Sequence, residues 1–142
     1  MNKLINIIVA ILFLTIVTNA QDSQADSIKS TIDKLFKFSK AENFEASGKL
    51  IAYDGNDQTR FLNTSLNFSD TKEAIKIKRI VKRVKAFVDI SDSYSFGKLE
   101  LVKDSKANLF KIEVLFKSGE QELKTSIIIV NAGSKFLVTD LK

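Results

Sequence analysis

The side chains left to do chemistry in this chain are carboxylates, phenols, hydroxyls and amines, because it has no histidine and no cysteine. Without these two residue types, Ser-His-Asp and Cys-His nucleophile systems cannot be assembled. The usual ligands for zinc, copper and haem are missing as well. An oxygen-only cation site needs a loop of acids, and the best stretch is Asp54-Gly55-Asn56-Asp57-Gln58. It lacks the glycine and glutamate that an EF-hand loop carries at its sixth and twelfth positions, so it reads as a solvated turn. The glycines are scattered singly, which leaves no phosphate-cradling loop. No metal and no cofactor is expected. Carboxylate and phenol chemistry remains for catalysis. For binding there is charge, and it is concentrated in Lys72, Lys76, Lys78, Arg79, Lys82, Arg83 and Lys85.

Those cations sit on the most regular helical pattern in the chain. Asp70 and Glu73 form a capping-box pair. From there Ile77, Ile80, Val81, Val84, Phe87 and Val88 keep helical spacing to about Ile90. At 100° per residue the six lie within an arc of about 120°, with the cations on the opposite side. The bland reading is a solvated outer face. The functional reading is a basic surface for an anionic membrane or an acidic partner, sensitive to salt. Membrane insertion would need the apolar stripe that must cover a core.

Other elements frame this helix. Ser23 to Lys40 reads as a helix with Ile28, Ile32, Leu35 and Phe36 on one stripe and Ser23 with Asp26 as its cap. A second, shorter helix is expected from about Asn43 to Tyr53-Asp54-Gly55, where glycine would supply the terminating left-handed residue. On it Phe44, Ser47, Gly48 and Ile51 share a face, and the small pair invites close approach. Asn56 to Ser69 fits neither period and reads as a turn of helix and irregular chain.

Four strands follow from Ser93 to Leu141. Tyr94 and Phe96 alternate, and Leu99 and Leu101 resume one residue out of phase, so a bulge at Gly97 is expected. Asp104 to Asn108 reads as a turn. Phe110, Ile112, Val114 and Phe116 alternate with polar residues as in a half-buried strand. Ser118-Gly119 signals a hairpin. Leu123 to Val130 is the next strand, its Ile127-Ile128-Ile129-Val130 run implying cover on both faces, and Phe136 to Leu141 closes the sheet.

The N-terminus has the form of a secretory signal peptide, with Lys3 before an apolar run from Leu4 to Val17 and small residues at Thr18-Asn19-Ala20. Cleavage after Ala20 is expected, which removes residues 1–20. The run is shorter than the ~20 residues that span a bilayer, so no transmembrane segment is expected after cleavage. No cysteine is present to carry a lipid anchor. A secreted or periplasmic location follows, without disulfides. The net charge of +5 falls by one when Lys3 leaves. This modest excess favours solubility, and no nucleic-acid partner is expected of an exported protein. Residues 21–142 should form one α+β domain with one core.

The order of elements resembles the NTF2-like superfamily, whose branches are also called cystatin-like and SnoaL-like. The carriers are Ile28-x-x-x-Ile32-x-x-Leu35-Phe36, Asn43-Phe44-Glu45, and the finish from Ile127-Ile128-Ile129-Val130 to Phe136-Leu137-Val138-Thr139-Asp140-Leu141. The chain has Glu42-Asn43 where members often have Gly-Asp, and Phe136 near where many carry a tryptophan. The resemblance implies helices packed in a bent four-stranded antiparallel sheet, forming a cone. It also implies a choice of functions. One is a non-catalytic exported domain whose cone, lined by Phe96, Phe110, Phe116 and Ile129, takes a small apolar ligand, a peptide or a partner protein. Another is an isomerase- or dehydratase-like enzyme moving a proton with Asp and Tyr groups, the candidates being Tyr53, Tyr94, Asp89, Asp92 and Asp140. Each of these has a structural use too, as a cap, a turn or a core residue. The third is an interaction module of the cell envelope using the basic helix. Homodimers through the sheet are common in the superfamily, and Leu109, Leu115, Ile128 and Val130 would form such a face. Fold alone does not choose among these, and the non-catalytic domain is the reading taken forward.

Overall fold

The computed structural model describes residues 22–102 and 107–142. The expected signal peptide and most of the Asp104–Asn108 turn lie outside the described residues. Helix α1 covers residues 22–40, α2 is Phe44–Gly48 and α3 is Thr71–Asp89. Four strands follow: β1 Ser93–Leu101, β2 Leu109–Ser118, β3 Gln121–Ala132 and β4 Lys135–Leu141. They form one antiparallel sheet in the order β1-β2-β3-β4. This order, helices followed by a four-stranded antiparallel meander, is the α+β architecture expected from the sequence.

The core lies between helices and sheet. Ile28, Ile32, Leu35 and Phe36 of α1 and Ile77, Val81 and Val84 of α3 meet Ile112, Val114, Phe116, Ile127 and Ile129 of the sheet. Most of these side chains are fully buried. Burying one such aliphatic side chain contributes roughly 1.5–3 kcal/mol, so this layer dominates the stability. The Gly97 bulge is present, because the β1–β2 register shifts between Phe96 and Leu99 and keeps Tyr94, Phe96, Leu99 and Leu101 opposite inner-face residues. A second shift, between Ile128 and Ile129, leaves Thr139 as the extra residue of β4. Two bulges on opposite edges bend the sheet.

Several local expectations are corrected. The chain is already helical at residue 22, so Ser23 lies inside α1 and does not cap it. Helix α2 ends at Gly48, well short of Tyr53. Beyond it, Ile51 bridges Val138 in parallel and Ala52 bridges Ser65, so backbone bonds to β4 displace the helix. Gly55 does not take the left-handed conformation; Gly119 and Gly133 do, in the two hairpin turns. The close approach at the small pair is real, since a Cβ on Gly48 would lie 2.7 Å from Ile77 Cδ1. The capping box of α3 is only half made. Asp70 accepts from the N–H groups of Lys72 and Glu73, but the Glu73 carboxylate turns away to other partners.

Candidate functional site

The irregular stretch before α3 is fastened to that helix by ion pairs. Arg60 donates to both carboxylate oxygens of Glu73 at 2.7 and 3.0 Å, and the Asn67 N–H donates to Glu73 at 2.6 Å. The guanidinium lies 4.0 Å from the centroid of the Tyr53 ring. Arg60, and then the Asn67 N–H, hold the Glu73 carboxyl below the usual range against the burial that pushes it up. Lys76 pairs with Asp54 one turn further along.

Beside this fastening lies a cleft of about 650 Å³ between α3 and the end of β4. Lys76, Arg79 and Arg83 form one wall, Thr139 and Asp140 the other, and Ile80 and Leu141 supply apolar surface between them. Arg79 and Arg83 make no ion pair among the described residues; the Arg83 guanidinium sits 5.9 Å from the Phe87 ring. A smaller concavity of about 410 Å³ adjoins it, sharing Asp54 and Lys76 and reaching Arg60 and Lys72.

The seven cations expected to form one basic side therefore divide. Lys72, Lys76, Arg79 and Arg83 lie within about 60° of one another around the helix, and Lys78, Lys82 and Lys85 within another 60°, about 120° away. The first stripe faces the clefts. In the second, Lys85 pairs with Asp89, and Lys78 lies over the Phe68 ring. Helical angles alone could have made this division. Arg60 was missed and Asp54 was read only as part of a solvated turn, since their partners lie far along the chain and their own segment shows no period.

The proposed catalytic residues do not converge. Asp89 is exposed and paired to Lys85, while Asp92 accepts the Gly119 N–H at 2.8 Å and so ties the β2–β3 turn to the start of β1. Asp140 accepts the N–H of Leu141 at the rim of the cleft. Tyr53 lies under Arg60. Tyr94 donates to Asp33 of α1 at 2.9 Å, an Asp–Tyr pair whose acid was not among the candidates. Burial first, and the Asp33 carboxylate second, push the Tyr94 phenol up to about 12. Of the proposed ligand-lining set, Phe110, Phe116 and Ile129 are core residues, at most 8% exposed. Phe96 is half-buried in a ring cluster with Tyr94, which also contacts Phe36 and Phe116. Of the four, Phe116 borders a surface concavity of about 400 Å³ beside Ile90, Ser91 and Leu123.

The proposed dimer face is partly occupied by the chain itself. Val130 is buried in a small cluster with Ala52 and Leu137, packed by Leu62 and Leu109 on the side of the sheet away from α1 and α3. Only Leu115 and Ile128 of the four stay clear of that cluster, both half-buried. The described residues contain no group of acids placed to hold a metal. No helix among them is long and apolar enough to cross a membrane.

No family model matches this chain, and no curated protein does. Among solved structures it is similar to one titled Rd1NTF2_05 with five substitutions, at 14% identity and a TM-score of 0.48. That match covers 87% of this chain and 97% of the other.

Proposed function

We propose that this protein is a non-catalytic binding domain that takes its ligand at the open cleft between α3 and β4 and not inside the cone. The observation that carries this reading is a contrast. The space between helices and sheet is filled by side chains such as Ile32, Ile77, Val81, Ile112 and Ile127, all fully buried. The cleft beside it is open, of ligand size, and lined by two guanidinium groups that make no ion pair among the described residues, over apolar surface. An anionic group on an apolar body suits that lining, because Arg presents a planar fork of donors that matches carboxylates and sulfonates. The domain acts outside the cytoplasm, a reading supported by the leader-like run from Leu4 to Val17.

The test is a two-dimensional NMR titration with anilinonaphthalene sulfonate, an anion on apolar rings. Amide shifts centred on Ile80, Arg83, Thr139 and Leu141 are expected. Shifts confined to Phe110, Ile112 and Ile129 would return the ligand to the cone and defeat the reading. An alkaline phosphatase fusion to residues 1–20 checks the compartment, with activity expected only if the enzyme is exported.

A further inference from the structure

Lys72, Lys76, Arg79 and Arg83 follow one another at spacings of four, three and four residues, which step along the axis by about 6, 4.5 and 6 Å. The two concavities beside them share Asp54 and Lys76 as lining residues, an ion pair placed where they adjoin, and together they make up a trough along the helix. The stripe is therefore about 16 Å long, and every cation on it borders open space. Alternate residues of an extended peptide lie about 6.7 Å apart on one side of the strand, close to the longer of these steps.

We propose that the trough binds an extended acidic peptide segment of another protein, with alternate carboxylates facing this stripe; this rests on the cleft being the binding surface. The interleaved acids select for a peptide. Asp54, Asp70 and Asp140 lie along the trough, so a chain bearing a negative charge on every unit would be repelled between cations. A peptide can place carboxylates at the cations only and offer backbone N–H groups to the acids. A flat anionic surface would draw on Lys78 and Lys82, which are as exposed as Arg79 and Arg83, so unequal losses from the two stripes separate a peptide from a surface.

Fluorescence anisotropy with a labelled octapeptide of alternating glutamate and serine tests this on the whole domain. Substituting Arg79→Gln and Arg83→Gln together should weaken binding about tenfold, as expected for two exposed ion pairs. Lys78→Gln with Lys82→Gln, the same change of charge on the other stripe, should leave it within about twofold. Asp54→Asn should tighten binding, because it frees Lys76 and removes a competing acid. Glu122→Gln, which equally frees the Lys117 of the outer face, should not. Equal losses from both cation pairs, tighter binding of polyphosphate than of the peptide, or retention on anionic vesicles through Lys78 and Lys82 would each overturn the proposal. If the sulfonate still shifts the cleft amides while no acidic peptide binds, the peptide assignment falls and the cleft reading stands. If neither binds there, both fall.

Discussion

Glu73 shows how one side chain can take on work that its position does not suggest. Third in a helix, it is placed to complete a cap, yet its buried carboxylate accepts from Arg60 and from the Asn67 N–H. Hydrogen bonds to a charged group contribute roughly 1.5–3 kcal/mol, so Glu73→Gln should lower stability by about 2 kcal/mol in urea unfolding at neutral pH. The pH dependence has a definite sign. The folded carboxyl is held below its usual range, so its contribution is present above that range and is lost as pH falls through the folded value. The Gln variant should lack that part of the acid loss, and the two stability curves should converge in acid. Tyr94 has the opposite limb. Its phenol is raised from 10.0 to about 12, so the unfolded chain ionises first and stability falls as pH rises through that interval. Tyr94→Phe should flatten the alkaline limb; an unchanged slope would show that the phenol does not couple to folding. Neither role was legible in the sequence, because both partners are distant and no period links them.

Elements were legible where periodicity is local. Helix α3 and strand β2 each bury one face against a single layer, so their apolar residues recur at 3.6 and at 2, and both ran close to expectation. Even the Gly97 bulge was readable, as a slip in phase. The second helix was not, because what decides Ile51 and Ala52 is a pair of backbone bonds, Ala52 N–H to the Val138 carbonyl and Val138 N–H to the Leu50 carbonyl, both 2.8 Å. Tertiary pairing of this kind overrides local pattern. The bulge at Thr139 hid for a similar reason, since Phe136-Leu137-Val138 is continuously apolar and shows no phase to lose. The packing of α2 on α3 can be tested at Gly48. An added methyl meets Ile77, which is fully buried and cannot swing into solvent. Overpacking costs about 1–3 kcal/mol, and the better helix propensity of alanine offsets up to ~1 of this. Gly48→Ala should therefore lower the urea midpoint with an unchanged slope, a net loss of about 1 kcal/mol. A midpoint that rises would mean that the two helices sit further apart.

For the whole molecule the open question is self-association, and three surfaces bear on it. The β4 edge is closed by the chain itself, through residues 50–52. The β1 edge is open among the described residues, but it carries a bulge with Lys98 and Glu100 beside it, devices that disfavour pairing with another strand. The outer face of the sheet offers Leu115 and Ile128 among Lys111, Glu113, Lys117, Glu122 and Lys124, with Lys117 and Glu122 paired at 2.8 Å. Two half-buried apolar residues in a charged field are a poor centre for an interface, since stable dimers bury well over a thousand Å² around an apolar core. The apolar residues that could have enlarged it, Val130 and Leu109, are already used to hold the 52–62 segment. Sedimentation velocity at micromolar concentration should therefore return the mass of a single chain, unchanged by Leu115→Lys. A dimer mass that Leu115→Lys dissolves would show that the sheet face associates despite its charge. The trough along α3, on the far side of the molecule, would then be presented twice, and its affinity for a divalent acidic partner would rise by effective concentration alone.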